Sequence, residues 1–415
     1  MTYPIDWIRS QFPALKRTLN GQPVVFLDGP AGSQVPESVA NAVRDYMLTM
    51  NANHGGPFLT AVESDAMLDA AHETLADFFG TDDPDCVAFG GNMTTLALSL
   101  SRALATTWNE GDEIIVSELD HDANVTPWVL AAKDAGVTVR RIKLNSNDCT
   151  LCMESFREAL SDRTKLVAVG YAANATGTIN PIADMAQAAH EVGALMFIDA
   201  VHFAPHGLID VSALDCDFLM ASAYKFFGPH VGVMYGKREL LEQIRPYKLR
   251  PSPDDLPGRW MTGTQNHEGI AGTRAAVDYL VELGRQIAPS VSSRRELLAA
   301  AFKATTQHER TLVARLLSGL AEIPGIHIHG ITDESQFSSR VSTVSITFEN
   351  HSPAELCQQL GDEGVFTWAG NHYALPFTEA AGLEPGGTLR LGALHYNTLD
   401  EIERTLTTLG KLVAG

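Results

Sequence analysis

The chain has 415 residues, 45% of them hydrophobic, and a formal net charge of −20. That length and apolar content supply a large core and call for two domains, and the ordinary aromatic content argues against disorder beyond the termini. The acidic excess repels polyanions, so nucleic acid and anionic membranes are excluded as partners.

The opening MTYPIDWIRSQFPAL is amphipathic and carries no apolar signal core, and no apolar run is long enough to cross a bilayer. Secretion is therefore not expected. Five cysteines, an odd number, fit a reducing cytoplasm.

Residues 1–25 read as an arm with one helix, expected to pack on the small domain. VVFLD, residues 24–28, is a short strand entering the loop GPAGSQVP. Helical periodicity follows in ESVANAVRDYMLTM and SDAMLDAAHETLADFFG. Strand and helix then alternate: CVAF before GGNMTTLALSLSRALA, DEIIVS before NVTPWVLAAKDAG, and VTVRRIKL before MESFREALS. TKLVAVG precedes IADMAQAAHEVG, ALMFIDA ends at an acid, and CDFLM and GVMYGK read as further strands. Repeated βα units with continuous apolar strands predict an α/β domain over 26–285, built on a mostly parallel sheet covered on both faces. A helix-rich stretch then leads to a smaller α+β domain over 286–415, with strands in GIHIHG, VSTVSITF, VFTW and TLRLGALH. Active sites favour strand C-termini and domain seams.

Two patterns invite a metal reading and do not support one. Cys149 and Cys152 form a CxxC with no second pair, in a turn entering a helix, which fits structural cysteines. His327 and His329 share one face of a strand but have no third ligand nearby. No metal site is expected.

The residues that follow the strands carry more chemistry. GGNMTT opens a helix, where unpaired N–H groups and the dipole favour phosphate; Asn and Thr also cap helices for structural reasons alone. His121 follows DEIIVS, placed to stack on a planar ligand, to move a proton, or simply to sit in a surface loop. Asp199 ends the strand in FIDAVH, with His202 just beyond. Lys225, in ASAYKFFGPH, is a lone amine at the mouth of an apolar strand. Asp199 and Lys225 are then either a plain ion pair or two contacts to one ligand. Pyridoxal phosphate needs a lysine for its aldehyde, an acid at its pyridine nitrogen and a phosphate cradle. An acid about 3 Å from that nitrogen, at an effective dielectric of ~20, is worth roughly 5 kcal/mol, enough to keep the ring protonated.

Together FLDGPAG, DHDANVTPW, NATGTINP, FIDAVH, SAYKFFGPHVG, TGTQNHEGI and LRLGALHYNT, in this order, resemble the class V aminotransferase family of fold-type I pyridoxal-phosphate enzymes. The likeness is to the cysteine desulfurase and selenocysteine lyase branch, and within it to a desulfurase-like subfamily; kynureninase and isopenicillin N epimerase are more distant. The resemblance spans nearly the whole chain. It implies a seven-stranded sheet in the large domain, pyridoxal 5'-phosphate as cofactor and an α-amino acid as substrate. Lys225 would be the Schiff-base lysine, Asp199 the partner of the ring nitrogen and His121 the stacking residue. Asn174 would face the phenolic oxygen with His202 near the same edge, and Tyr224 precedes the lysine. Asn92, Met93, Thr94 and Ser222 would hold the phosphate. Thr264 would reach the partner's site in a homodimer. Arg390 would clamp the substrate carboxylate, with Ala31, His54 and Tyr373 as further substrate contacts.

Three positions depart from the branch. Tyr224 stands where histidine precedes the lysine, and His202 where glutamine follows the acid. In AGNHYALPF, Tyr373 takes the place of the sulfur-accepting cysteine. A phenol cannot carry a persulfide, so ordinary sulfur transfer is not expected. The reading is an amino-acid lyase that breaks a side-chain bond, with Tyr373 or Tyr224 as acid or substrate contact. An aminotransferase, an epimerase or carbon–carbon bond-forming enzyme, a desulfurase using an external thiol, and a cofactor-holding regulator are the alternatives. A regulator has little use for a carboxylate-binding arginine.

Overall fold

A computed structural model describes residues 3–414. Seven strands build the main sheet: β1 (Val87–Gly90), β2 (Glu113–Ser117), β3 (Thr138–Ile142), β4 (Thr164–Gly170), β5 (Leu195–Asp199), β6 (Phe218–Ser222) and β7 (Gly232–Gly236). Their order across the sheet is β1-β7-β6-β5-β4-β2-β3. All neighbours run parallel except β7, which lies antiparallel between β1 and β6. Residues of β2, β6 and β7 are buried throughout, as a sheet covered on both faces requires. At the edge, β3 instead exposes Arg140 and Arg141, and charge there discourages pairing with another chain. Strands β3 and β4 lie on opposite sides of β2, so a crevice opens at the C-terminal ends of β2 and β4.

The smaller sheet contains β8 (Ile326–His329), β9 (Thr343–Phe348), β10 (Trp368–Gly370) and β11 (Thr388–Gly392). Its order is β8-β9-β11-β10, antiparallel throughout. The strand expected at 24–28 shortens to Val25–Phe26 and pairs in parallel with Val365–Phe366, tying the entry of the large domain to the small one.

Four helices matter to the site: α1 (Leu59–Phe79), α2 (Met93–Ala105), α3 (His267–Ile287) and α4 (Arg294–Ala321). Helix α4 serves both cores. Leu297, Leu298, Ala301 and Phe302 join the large cluster, and Leu312, Leu316 and Leu320 join the small one. The core therefore changes inside α4, whereas residue 285 lies in α3. The N-terminal arm does not rest on the small-domain core alone. Ile8, Phe12 and Leu15 pack in the large cluster, while the Tyr3 hydroxyl donates to the His395 carbonyl (2.9 Å) and Arg9 pairs with Glu401 (2.9 Å). Phe12 is fully buried, a contribution of roughly 1.5–3 kcal/mol. It lies edge-on to Tyr279 at 5.3 Å between centroids, so the arm staples the seam between the domains.

Candidate active site

Lys225 stands in the 3-10 turn Ala223–Lys225 directly after β6. Only 9% of the residue is exposed. Its Nζ donates to the Pro30 carbonyl in the loop after Val25–Phe26. Burial, reinforced by the nearby Arg390 guanidinium and opposed by Asp199, brings its pKa down to about 7. Much of this amine is thus neutral, and so nucleophilic, near neutral pH.

Asp199 ends β5, the neighbour of β6. Its Oδ1 accepts from the Val201 N–H at 2.9 Å, and burial pushes its carboxyl up to about 6. The plain Asp199–Lys225 ion pair does not form: Lys225 turns to Pro30 instead. A buried carboxylate with no cation in direct contact has room for a positive partner.

Both residues line a cavity of about 670 Å³ at the strand ends, shared with His121, Asn174, His202 and Ser222. Burial, then the positive charges of Lys225 and Arg390, lower His121 to about 4, so a neutral imidazole faces this space. His202 is likewise held well below its usual range, chiefly by burial, and its Nε2 lies 2.9 Å from Thr343 Oγ1. Asn174 Nδ2 donates to the His372 carbonyl at 2.8 Å, which leaves its buried Oδ1 without a partner.

Helix α2 opens the cavity at its other end. Asn92 caps it, accepting from the Thr95 N–H at 2.9 Å, and the Met93 N–H donates to Ser222 Oγ at 3.0 Å. Gly232 in β7 lets this helix start approach the sheet: a Cβ there would sit 2.5 Å from the Asn92 backbone. Exposed Thr94 and Thr95, with the helix N-terminus and Ser222, form a cradle for an anion.

The small domain closes the other side. A second cavity, about 650 Å³, joins Lys225, Tyr224 and Ala31 to Arg390, Trp368 and Tyr373. Arg390 lies in β11 and is buried; its Nη1 donates to the Asn174 carbonyl at 2.9 Å. Burial lowers its pKa to about 9, leaving it charged at neutral pH. The loop to Tyr373 is conformationally strained, with φ of 56° at His372 and 57° at Tyr373. Two hydrogen bonds hold it: Asn174 Nδ2 to the His372 carbonyl at 2.8 Å, and the Asp122 N–H to the Tyr373 carbonyl at 2.6 Å. The Tyr373 ring stacks on His121 at 5.5 Å and 12°.

Most sequence-predicted residues therefore meet around these two cavities. His54 and Thr264 do not. They line a separate cavity of about 650 Å³ with His267, and His54 is held outside by Asp65 at 2.8 Å. Sequence reasoning assigned no role to four residues that do line the site. Asp120 is buried, receives hydrogen bonds from Gly170 N–H and Ser117 Oγ, and is raised to about 7, mainly by burial and with a contribution from Asp199. His230 stacks on Tyr224 at 5.1 Å. His372 lies beside Arg390, with its Nε2 3.0 Å from Thr388 Oγ1. Trp368 is the fourth. Asp120 and His230 lie in the same motifs as His121 and Lys225; Trp368 is legible only once its strand pairing is known.

Pyridoxal phosphate fits this donor set. Asp199 offers a carboxylate to the ring nitrogen, the partnerless Oδ1 of Asn174, a residue of the same cavity, offers an acceptor, and the α2 N-terminus suits the phosphate. The architecture and the buried lysine beside that acid define a fold-type I pyridoxal-phosphate enzyme. The comparisons narrow this further. The family model described as Aminotransferase class-V matches residues 25–405, and the chain belongs to that family. A probable cysteine desulfurase of Vibrio cholerae is 32% identical, the match covering 100% of this chain and 99% of that one. A cysteine desulfurase of Dickeya dadantii is 30% identical over 99% and 97% of the two chains. Among solved structures, a cysteine desulfurase of Escherichia coli superposes with a TM-score of 0.85 at 26% identity, covering 100% of this chain and 99% of that chain. One from Thermococcus onnurineus has a TM-score of 0.88 at 24% identity over 100% and 99%, which speaks for the fold. The protein is thus a pyridoxal-phosphate-dependent, cysteine desulfurase-like enzyme.

Proposed function

We propose that this enzyme is a lyase that breaks a bond in the side chain of an α-amino acid, by β- or γ-elimination, without an enzyme persulfide. One observation carries the reading. The loop beside Arg390 presents Asn371, His372 and Tyr373, and none of the five cysteines lines either cavity of the site. Cys86, Cys149 and Cys216 are buried, and burial raises Cys86 to about 12 and Cys149 to about 11. Cys357 sits on the helix Pro353–Asp362, its thiol 3.4 Å from the Thr367 carbonyl. The three buried thiols are poor nucleophiles at neutral pH.

Bound pyridoxal phosphate supplies a carbonyl to capture the amino group and a conjugated ring to draw electrons from Cα. Arg390 anchors the substrate carboxylate through its remaining guanidinium donors, and this fixes which Cα bond faces Lys225. Lys225, with its pKa near neutral, takes the Cα proton. Asp199 would hold the ring nitrogen positive, and a neutral His121 would pack on the ring without adding charge. The Tyr373 hydroxyl, on a 73% exposed side chain at the cavity mouth, gives a proton to the departing group.

The same reading makes the protein a C₂ homodimer. Met47, Leu48, Phe58, Leu59 and Val62, on or capping the two helical segments that flank His54 in the chain, are all exposed. Pairing two chains there would bury this patch and bring His54 and Thr264 to the partner's site. Full activity of a monomer at nanomolar concentration would contradict this. Five free cysteines support residence in a reducing cytoplasm, and no helix among the described residues is long and apolar enough to cross a membrane.

The reaction is tested by incubating the holoenzyme with common and sulfur-containing amino acids and identifying products by mass. A lyase releases keto acid and ammonia while the cofactor keeps its aldehyde form. Accumulation of the cofactor's amine form, or an inverted amino acid as sole product, would contradict it.

A further inference from the structure

Strand β10 ends one side of the small sheet and pairs antiparallel with β11. In that register Trp368 stands directly opposite Arg390. Directly opposed residues of an antiparallel pair project from the same face with Cβ atoms roughly 4.5–5.5 Å apart. The two side chains therefore leave the same face of the sheet side by side, and both line the second cavity. Arg390 is 5% exposed, whereas Trp368 is 53% exposed, a large apolar ring left open at the wall of the second cavity.

Trp368 does not stand alone. Tyr373, stacked on His121, forms a second aromatic wall, and Leu98 and Pro127 continue the lining. The strained loop is pinned by hydrogen bonds to Asn174 and Asp122, so the Tyr373 wall is held in place. A ligand anchored by its carboxylate at Arg390, with its amino group at Lys225, has its side chain beside these rings. Aromatic and apolar walls reward a flat apolar group through area burial and stacking.

We propose that Trp368 is a specificity-determining residue, and that the substrate is an α-amino acid carrying a bulky apolar or aromatic group on its side chain, not free cysteine. The inference rests on the reading of Arg390 as the carboxylate clamp. Trp368 binds the side chain without taking part in proton transfer, so it sets substrate affinity more than turnover.

The test uses the holoenzyme and follows perturbation of the cofactor's visible band on titration with L-alanine, L-cysteine, L-lysine, L-phenylalanine and S-benzyl-L-cysteine. The two aromatic ligands should half-saturate the band at concentrations at least about tenfold below those of alanine and cysteine. Trp368→Ala should erase that preference, and Trp368→Phe should retain most of it. For whichever aromatic ligand is turned over, the Ala variant should raise KM with kcat nearly kept. Equal or tighter response to alanine or cysteine, a preference for lysine, or an unaltered preference in Trp368→Ala would overturn the inference while leaving the clamp intact. A band that answers to no amino acid at all would instead break the clamp reading, and this inference with it.

Discussion

The two walls of the site are made differently. The large-domain wall is a row of strand ends: His121 follows β2, Asp199 ends β5 and Lys225 follows β6. Each side chain is placed by a buried strand of one sheet, so their spacing is set by the sheet itself. The small-domain wall sets one buried residue on a strand, Arg390, beside an exposed edge-strand tryptophan and a short loop with two left-handed residues. The rigid wall carries the residues that the resemblance would assign to the cofactor, and Tyr373, which it would set in the place of the sulfur-accepting cysteine, sits on the loop.

If this division holds, changes on the two walls should fail in different ways. Lys225→Ala should have the largest effect, a loss of roughly 10⁴-fold or more in turnover. Borohydride should fix cofactor to Lys225 in the wild type, with peptide mapping as the check; fixation on another lysine would remove Lys225 from its role. Asp199→Ala should come next, with a loss of about 10²–10³-fold in kcat. Its cofactor content should fall much less, because the α2 cradle remains; equal activity would take Asp199 out of the site. On the other wall, Tyr373→Phe should lower kcat by about 10² with spectrum and cofactor content unchanged. Near-wild-type rates would assign the ring to packing alone.

The smallest effect is a pH dependence. Lys225 titrates near 7 in the folded protein, against 10.5 ordinarily. Its neutral fraction grows as pH rises through 7, so the rate at which cofactor-free protein captures pyridoxal phosphate should rise there and level off above. Between about 7 and 10.5 the unfolded chain holds this proton and the folded one does not. Lys225 thus destabilises the cofactor-free fold at low pH, and the penalty fades across that window. Cofactor-free Lys225→Met should therefore melt above the wild type at pH 7, with the gap closing toward pH 10.5. A gap that is absent or widens with pH would show Lys225 is not desolvated.

This contrast also explains what could be read from the sequence. Apolar runs ending in an acid, a histidine or a lysine announce themselves, because a charge at the mouth of a buried strand demands a reason. That logic singled out Asp199 and Lys225 and the alternation of strands and helices around them, whereas His121 gained its role only from the family resemblance. It did not reveal that β7 runs antiparallel, nor that the arm joins the large core, because both depend on contacts distant in sequence. It missed Trp368, whose neighbourhood with Arg390 is a matter of register. His54 and Thr264 were expected near the substrate and at the partner's site, and within one chain they share a different cavity.

The central claim, side-chain cleavage without an enzyme persulfide, is tested most directly by trapping the enzyme during turnover of L-cysteine and of an S-substituted cysteine. Its peptides are then alkylated and weighed. The account predicts keto acid and ammonia in solution, with Cys86, Cys149, Cys152, Cys216 and Cys357 all recovered without added sulfur. An extra sulfur atom on any one of the five, formed at the rate of turnover and accompanied by alanine in place of keto acid and ammonia, would contradict it.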